Sequence, residues 1–167
     1  VCSPWGPDDK DALSLISAGK TDGVFQLESE GMKKFLKELK PSCFEDVIAG
    51  VSLYRPGPMD YIPQYIEGKQ HPANITYLTP QLEPILSATY GVIVYQEQVM
   101  QIVRVLAGFS MGRADLVRKA MGKKKIEVME EEGKNFIYGN DSLNIKGCIK
   151  NGISEDIANE LYDQMID

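Results

Sequence analysis

Arg118 and Lys119 are neighbouring cations, and the run Lys123, Lys124, Lys125 follows one helical turn later. With Arg113 they place six basic residues between positions 111 and 125 against a single acid, Asp115, a local charge of +5. The chain as a whole carries −6, so everything outside this segment carries −11. An acidic chain that gathers positive charge into one short segment sets it against an anion. On a helix, Ala114, Leu116, Val117, Ala120 and Met121 share one side, while Arg118 and Lys119 flank Asp115 on the other within an arc of about 100°. Such a face suits phosphate, whether of a nucleoside triphosphate or of a nucleic-acid backbone. The same spacing also fits a plain solvated face. Asp115 and Lys119 are an i,i+4 pair with the acid first, and lysines after a helix complement its negative end. The residue types alone leave both readings open.

The elements that must position these groups are mostly helical. Ser110 caps the basic helix, and Gly108 ends the one before it over residues 95–107. There Tyr95, Val99, Ile102, Val103 and Leu106 line one side, with Glu97, Gln101 and Arg104 as a polar stripe. Upstream, Asp8 or Asp9 caps a short helix carrying Leu13, Leu15 and Ile16 that stops near Gly19. Ser29 caps a second helix with Met32, Phe35, Leu36 and Leu39 on one face. Ser42 and Glu45 have the spacing of a capping box opening a third helix. Arg55-Pro56-Gly57-Pro58 reads as a stiff turn, residues 68–76 as a polar loop, and Thr79-Pro80 as the start of another short helix. Residues 90–94 are apolar and β-branched, a candidate for extended structure. Residues 126–138 form a helix whose acidic run Glu130, Glu131, Glu132 reads as solvated surface, because successive helix residues point about 100° apart. Residues 140–152 read as a loop insertion, and Ser154, Glu155 and Asp156 open a last helix through Ile157, Leu161 and Met165. The fold class expected is all-α, with at most short strands.

Composition excludes several classes. At 167 residues the chain can bury one core. No stretch reaches the ~18 consecutive apolar residues of a membrane span, and no signal peptide is visible. Cys2, Cys43 and Cys148 are odd in number and lack C-x-x-C spacing, which argues against a disulfide framework or zinc site and for a reducing cytoplasm. His71, the single histidine, falls in a loop. A start at Val1 and an end at Asp167 within an amphipathic helix read as the limits of a piece of a longer chain.

A series of segments adds specificity. In order they are Gly23-Val24-Phe25-Gln26-Leu27-Glu28-Ser29, Gly31-Met32, Cys43-Phe44-Glu45-Asp46 and Leu53-Tyr54-Arg55-Pro56-Gly57-Pro58-Met59. Tyr95-Gln96-Glu97-Gln98-Val99-Met100, Leu106-Ala107-Gly108-Phe109-Ser110 and the basic stretch follow. The series closely resembles the alpha subunits of bacterial DNA polymerase III, the family C replicative polymerases. The resemblance covers nearly the whole chain, weakening over the first seven residues and over 140–147. It falls at the start of that family's fingers domain, which closes over the incoming nucleotide. Residues 1–167 are then one fingers-domain fragment, with 1–22 as the lead-in from the palm.

The resemblance implies further expectations. Arg118 and Lys119 fall on the paired basic positions that contact the incoming triphosphate. Two arginines are common there, and lysine at 119 keeps the charge but not the planar fork. Lys123, Lys124, Lys125, Arg113 and Arg55 are candidates for DNA or phosphate contact, Arg55 equally for a bridge to a carboxylate. Gln26, Glu28 and Ser29 are either structural caps or lining of the active site. The family's palm motifs, Pro-Asp-x-Asp-x-Asp-Phe and Lys-Phe-Asp-Phe, are absent, so no catalytic or metal-binding residue is expected and the fragment alone should be inactive. For the intact enzyme the resemblance implies template-directed DNA synthesis as a nucleotidyltransferase with two Mg²⁺ ions. It also implies primer-template DNA and deoxynucleoside triphosphates as substrates, palm and thumb domains in the same chain, and a sliding clamp and other replisome subunits as partners, in the cytoplasm and without a membrane. A replisome interaction module and a purely structural helical domain are the alternatives.

Overall fold

A computed structural model describes residues 6–166. Cys2, the first five residues of the lead-in and Asp167 lie outside the described residues. Among those described there are nine α-helices and no sheet, with a single isolated antiparallel bridge between Asn140 and Ile145. The chain is all-α. It divides into two compact units, Val1–Gln70 and His71–Asp167.

The first unit is built from α1 (Lys10–Ser17), α2 (Glu30–Leu39), α3 (Phe44–Leu53) and α4 (Ile62–Gln70). Local chemistry starts two of them as expected: the Asp9 carboxylate accepts from Ala12 N at 2.8 Å, and Ser29 Oγ accepts from Met32 N at 3.2 Å. Met32, Phe35, Leu36 and Leu39, one face of α2, are buried with Leu53 and Tyr65. The third helix departs from the capping box. Its N-cap is Cys43, and Ser42 instead donates through N and Oγ to Asp46 Oδ2, at 2.9 and 3.1 Å. Buried Asp46 also pairs with Lys69 Nζ at 3.3 Å, tying α3 to α4. Residues 62–70 are helical where the polar composition from Gly68 onward suggests loop, because Tyr65 and Gly68 are buried on that helix.

The second unit holds α5 (Glu83–Leu86), α6 (Gln96–Ala107), α7 (Met111–Gly122), α8 (Ile126–Tyr138) and α9 (Glu155–Ile166). Its core joins Val99, Ile102, Val103 and Leu106 of α6 to Ala114 and Val117 of α7, Phe136 of α8 and Leu161 of α9. Residues 90–94 form no strand. The Gln98 side chain holds the two ends of the segment together: its Oε1 accepts from Val94 N and Tyr95 N at 2.9 and 3.0 Å, and its Nε2 donates to Thr89 Oγ1 at 2.8 Å.

Residues 140–152 carry two single-turn 3-10 helices, Asp141–Leu143 and Ile149–Asn151. They satisfy the open carbonyls at the end of α6: Gly147 N donates to Ala107 O and Asn151 Nδ2 to Leu106 O, both at 2.8 Å. The chain passes so close to itself here that a Cβ on Gly147 would sit 2.3 Å from Gly139 N, and both glycines have positive φ.

Candidate phosphate-binding site

Helix α7 begins where Ser110 Oγ accepts from Arg113 N at 3.2 Å, and it buries Ala114, Val117 and Ala120. That stripe fixes the rotation of the helix and turns Asp115, Arg118 and Lys119 outward. Leu116, expected on the apolar side, is about half exposed, because its position lies beyond the edge of the buried stripe.

One carboxylate organises the outward face. Asp115 Oδ1 accepts from Arg118 Nε at 3.0 Å and from Arg118 Nη2 at 2.7 Å, while Oδ2 holds Lys119 Nζ at 2.6 Å. The lysine bond foremost, then the arginine bonds, holds the Asp115 carboxyl below the usual carboxylate range. The side chains of Asp115 and Arg118 are about a third exposed and that of Lys119 is 57 % exposed, so the cations remain open to a ligand. Exposed pairs of this kind contribute little to stability. Their arrangement matters more for what it presents than for what it holds together.

Beyond the helix, Lys123 N donates to Lys119 O at 3.1 Å, and Lys124 turns into the left-handed region at φ 50°. Lys123, Lys124 and Lys125 are all exposed and make no ion pair among the described residues. They extend the positive surface at the C-terminal end of α7.

Arg113 belongs to a different environment. Its Nη2 lies 2.5 Å from Glu132 Oε1 and its Nε donates to Oε2 at 3.2 Å. Glu132 is 3 % exposed and therefore not part of a solvated acidic surface, unlike Glu130 and Glu131. The signal was in the phase: Glu132 precedes Phe136 by four residues, which puts both on the buried side of α8. The guanidinium of Arg113 is thus engaged inside the fold.

The remaining candidates lie in the first unit. Ser29 is the N-cap of α2, and Glu28 beside it is exposed. Gln26 is exposed and held at φ 67°, in a turn closed by Thr21 Oγ1 donating to Leu27 O at 2.5 Å. That turn leaves Phe25 82 % exposed. Arg55 is exposed, forms no ion pair among the described residues, and precedes the turn at Gly57, where φ is 93°. Among the described residues no group of three or more His, Cys, Asp or Glu side chains is placed to hold a metal ion, and no helix is long and apolar enough to cross a membrane.

Comparison with known proteins covers nearly all of the sequence. The profile of the bacterial DNA polymerase III alpha subunit finger domain matches residues 5–144. The DNA polymerase III subunit alpha of Halalkalibacterium halodurans is 49 % identical over 159 residues, which is 95 % of this chain and 14 % of that protein. The subunit of the same name from Staphylococcus aureus (strain Mu50) matches at the same identity and coverage. The chain thus spans about one-seventh of the length of these relatives.

Proposed function

The chain belongs to the finger-domain family of bacterial DNA polymerase III alpha subunits, and from that premise we propose that its basic helix binds the triphosphate of the incoming deoxynucleotide. The observation that carries this reading is the pair Arg118 and Lys119, side by side on the outer face of α7 and open to a ligand. Arg118 offers a planar fork for phosphate oxygens, and Lys119 a compact point charge on a flexible stem. The three lysines beyond the helix add attraction for the nucleotide or for the backbone of the primer-template.

Transfer of a nucleotidyl group places negative charge on the departing pyrophosphate. Cations fixed beside it help by orienting the triphosphate and by neutralising that charge, without moving a proton. Arg118 and Lys119 would do this work. No metal-dependent step is assigned to this chain, in which no group of three or more His, Cys, Asp or Glu side chains is placed to hold a metal ion among the described residues. The chain supplies binding and orientation, and by itself is inactive. In the whole enzyme it works in the cytoplasm beside palm and thumb domains, on primer-template DNA, with a sliding clamp and other replisome subunits. In the first unit, Gln26 and Glu28 are proposed as active-site lining and Arg55 as a DNA or phosphate contact, while the Ser29 hydroxyl caps its helix.

The test is single-turnover incorporation by the intact polymerase that contains this chain. Arg118→Ala should slow incorporation by about 10²-fold, the scale of losing one preorganised charge stabiliser. Wild-type kinetics in that variant would refute the assignment.

A further inference from the structure

Asp115 is the residue the phosphate reading leaves unexplained. An acid at the centre of an anion site repels the ligand, and an exposed surface pair gives little stability in return. Yet this carboxylate touches both cations, and it touches them unequally. Arg118 is held by two donors, Nε and Nη2, on the single oxygen Oδ1. Lys119 is held through Nζ alone on Oδ2, and its side chain is the more exposed of the two. Helix geometry permits the trio because positions i+3 and i+4 fall on either side of position i.

Resting on the triphosphate reading above, we propose that Asp115 is a positioning residue of that site: it sets Arg118 and Lys119 side by side before the nucleotide arrives, and then gives up Lys119 to the phosphate while keeping Arg118 oriented. The guanidinium stays anchored on one edge and presents its remaining donors to the ligand. The ammonium, held by one bond, exchanges one anionic oxygen for another with little movement of the stem. The site is thereby kept ordered without a ligand. A long flexible lysine gains most from such ordering, because its rotamer freedom is otherwise lost on binding.

Three substitutions separate this from a passive surface pair. Asp115→Asn keeps the shape and an oxygen for Arg118, but it puts an amide where Lys119 is held. Asp115→Ala removes both anchors, and Asp115→Glu keeps the charge on a longer arm. In steady-state incorporation by the intact polymerase, Asp115→Asn should lower kcat about tenfold, the cost of a misplaced cation. KM for the nucleotide should stay near the wild-type value, because the loss of one negative charge offsets the cost of ordering Lys119 on binding. Asp115→Ala should lose more, and Asp115→Glu should recover part of the activity. In a Lys119→Ala background Asp115→Asn should add less than twofold, since the amide oxygen still accepts from Arg118 and the lysine contact is already gone. The Tm of Asp115→Asn should match wild type.

If Arg118→Ala and Lys119→Ala slow incorporation but Asp115→Asn is neutral or faster, the positioning role is overturned and the triphosphate site stands. A fall in Tm that accounts for the lost activity also overturns it, in favour of a structural pair. If Arg118→Ala and Lys119→Ala are both without effect, the triphosphate reading itself fails, and the role of Asp115 fails with it.

Discussion

Arg113 closes on Glu132 across the corner between α7 and α8, with Nη2 2.5 Å from Oε1 and Nε donating to Oε2 at 3.2 Å. Five positions further along the same helix, Arg118 pairs with an acid at the surface. One helix therefore uses two arginines differently, and the difference can be measured as stability. Arg113→Ala leaves the Glu132 carboxylate buried without its cation, which should cost about 2–4 kcal/mol in urea unfolding. Replacing both partners together, Arg113→Met with Glu132→Leu, should recover most of that loss. Arg118→Ala should leave the unfolding midpoint within error of wild type. Equal midpoints for Arg113→Ala and Arg118→Ala would show that the α7–α8 pair does not hold the corner.

A second stability device lies in the first unit. Burial disfavours the Asp46 carboxylate, but the Ser42 N–H and the charge of Lys69 outweigh it and hold the group below its usual range. The unfolded chain, with the ordinary value of about 3.9, then binds more protons than the folded one in acid. The contribution of Asp46 is fully present above about pH 5, and it is lost as pH falls through the unfolded value and then the lower folded one. Asp46→Asn should therefore be less stable than wild type at pH 7, and the gap should narrow as the solution is acidified below about pH 5. A gap that is constant from pH 7 to pH 2 would mean the carboxylate ionises alike in both states.

These two pairs mark the limit of what could be read in the residues. Helix starts at Asp9, Ser29 and Ser110 were legible because each cap acts within three residues of itself. The outward placement of Asp115, Arg118 and Lys119 was legible because helical spacing alone fixes it. Ser42 misled, since the capping-box pattern competes with Asp46, whose attraction to Lys69 depends on a helix 27 positions beyond Ser42. The partners of Gln98 and Glu132 were hidden for a related reason. Polar residues on an apolar helix face are tolerated only when a partner meets them, and the partners, Thr89 with the 94–95 backbone and Arg113, come from elsewhere in the chain. Residues 140–152 meet α6 through the Gly147 N–H and the Asn151 side-chain amide, both on carbonyls at the end of that helix, and no local side-chain pattern announces either contact.

The lysines that follow α7 allow a prediction that separates charge from structure. Lys123, Lys124 and Lys125 are exposed, and none has an acidic partner among the described residues. If they lie against the nucleic-acid backbone, each contact releases about one counterion, and DNA affinity depends on salt accordingly. In the intact polymerase, changing all three to Gln should weaken primer-template binding uniformly across sequences. The slope of log K against log[salt] should become shallower by about 2–3. Arg113→Ala is the matched control: it removes the same sign of charge from the same segment, but from a group already neutralised by Glu132. Its salt slope should stay at the wild-type value while its stability falls. A triple-glutamine variant with an unchanged slope would show that the lysine turn faces solvent and not DNA.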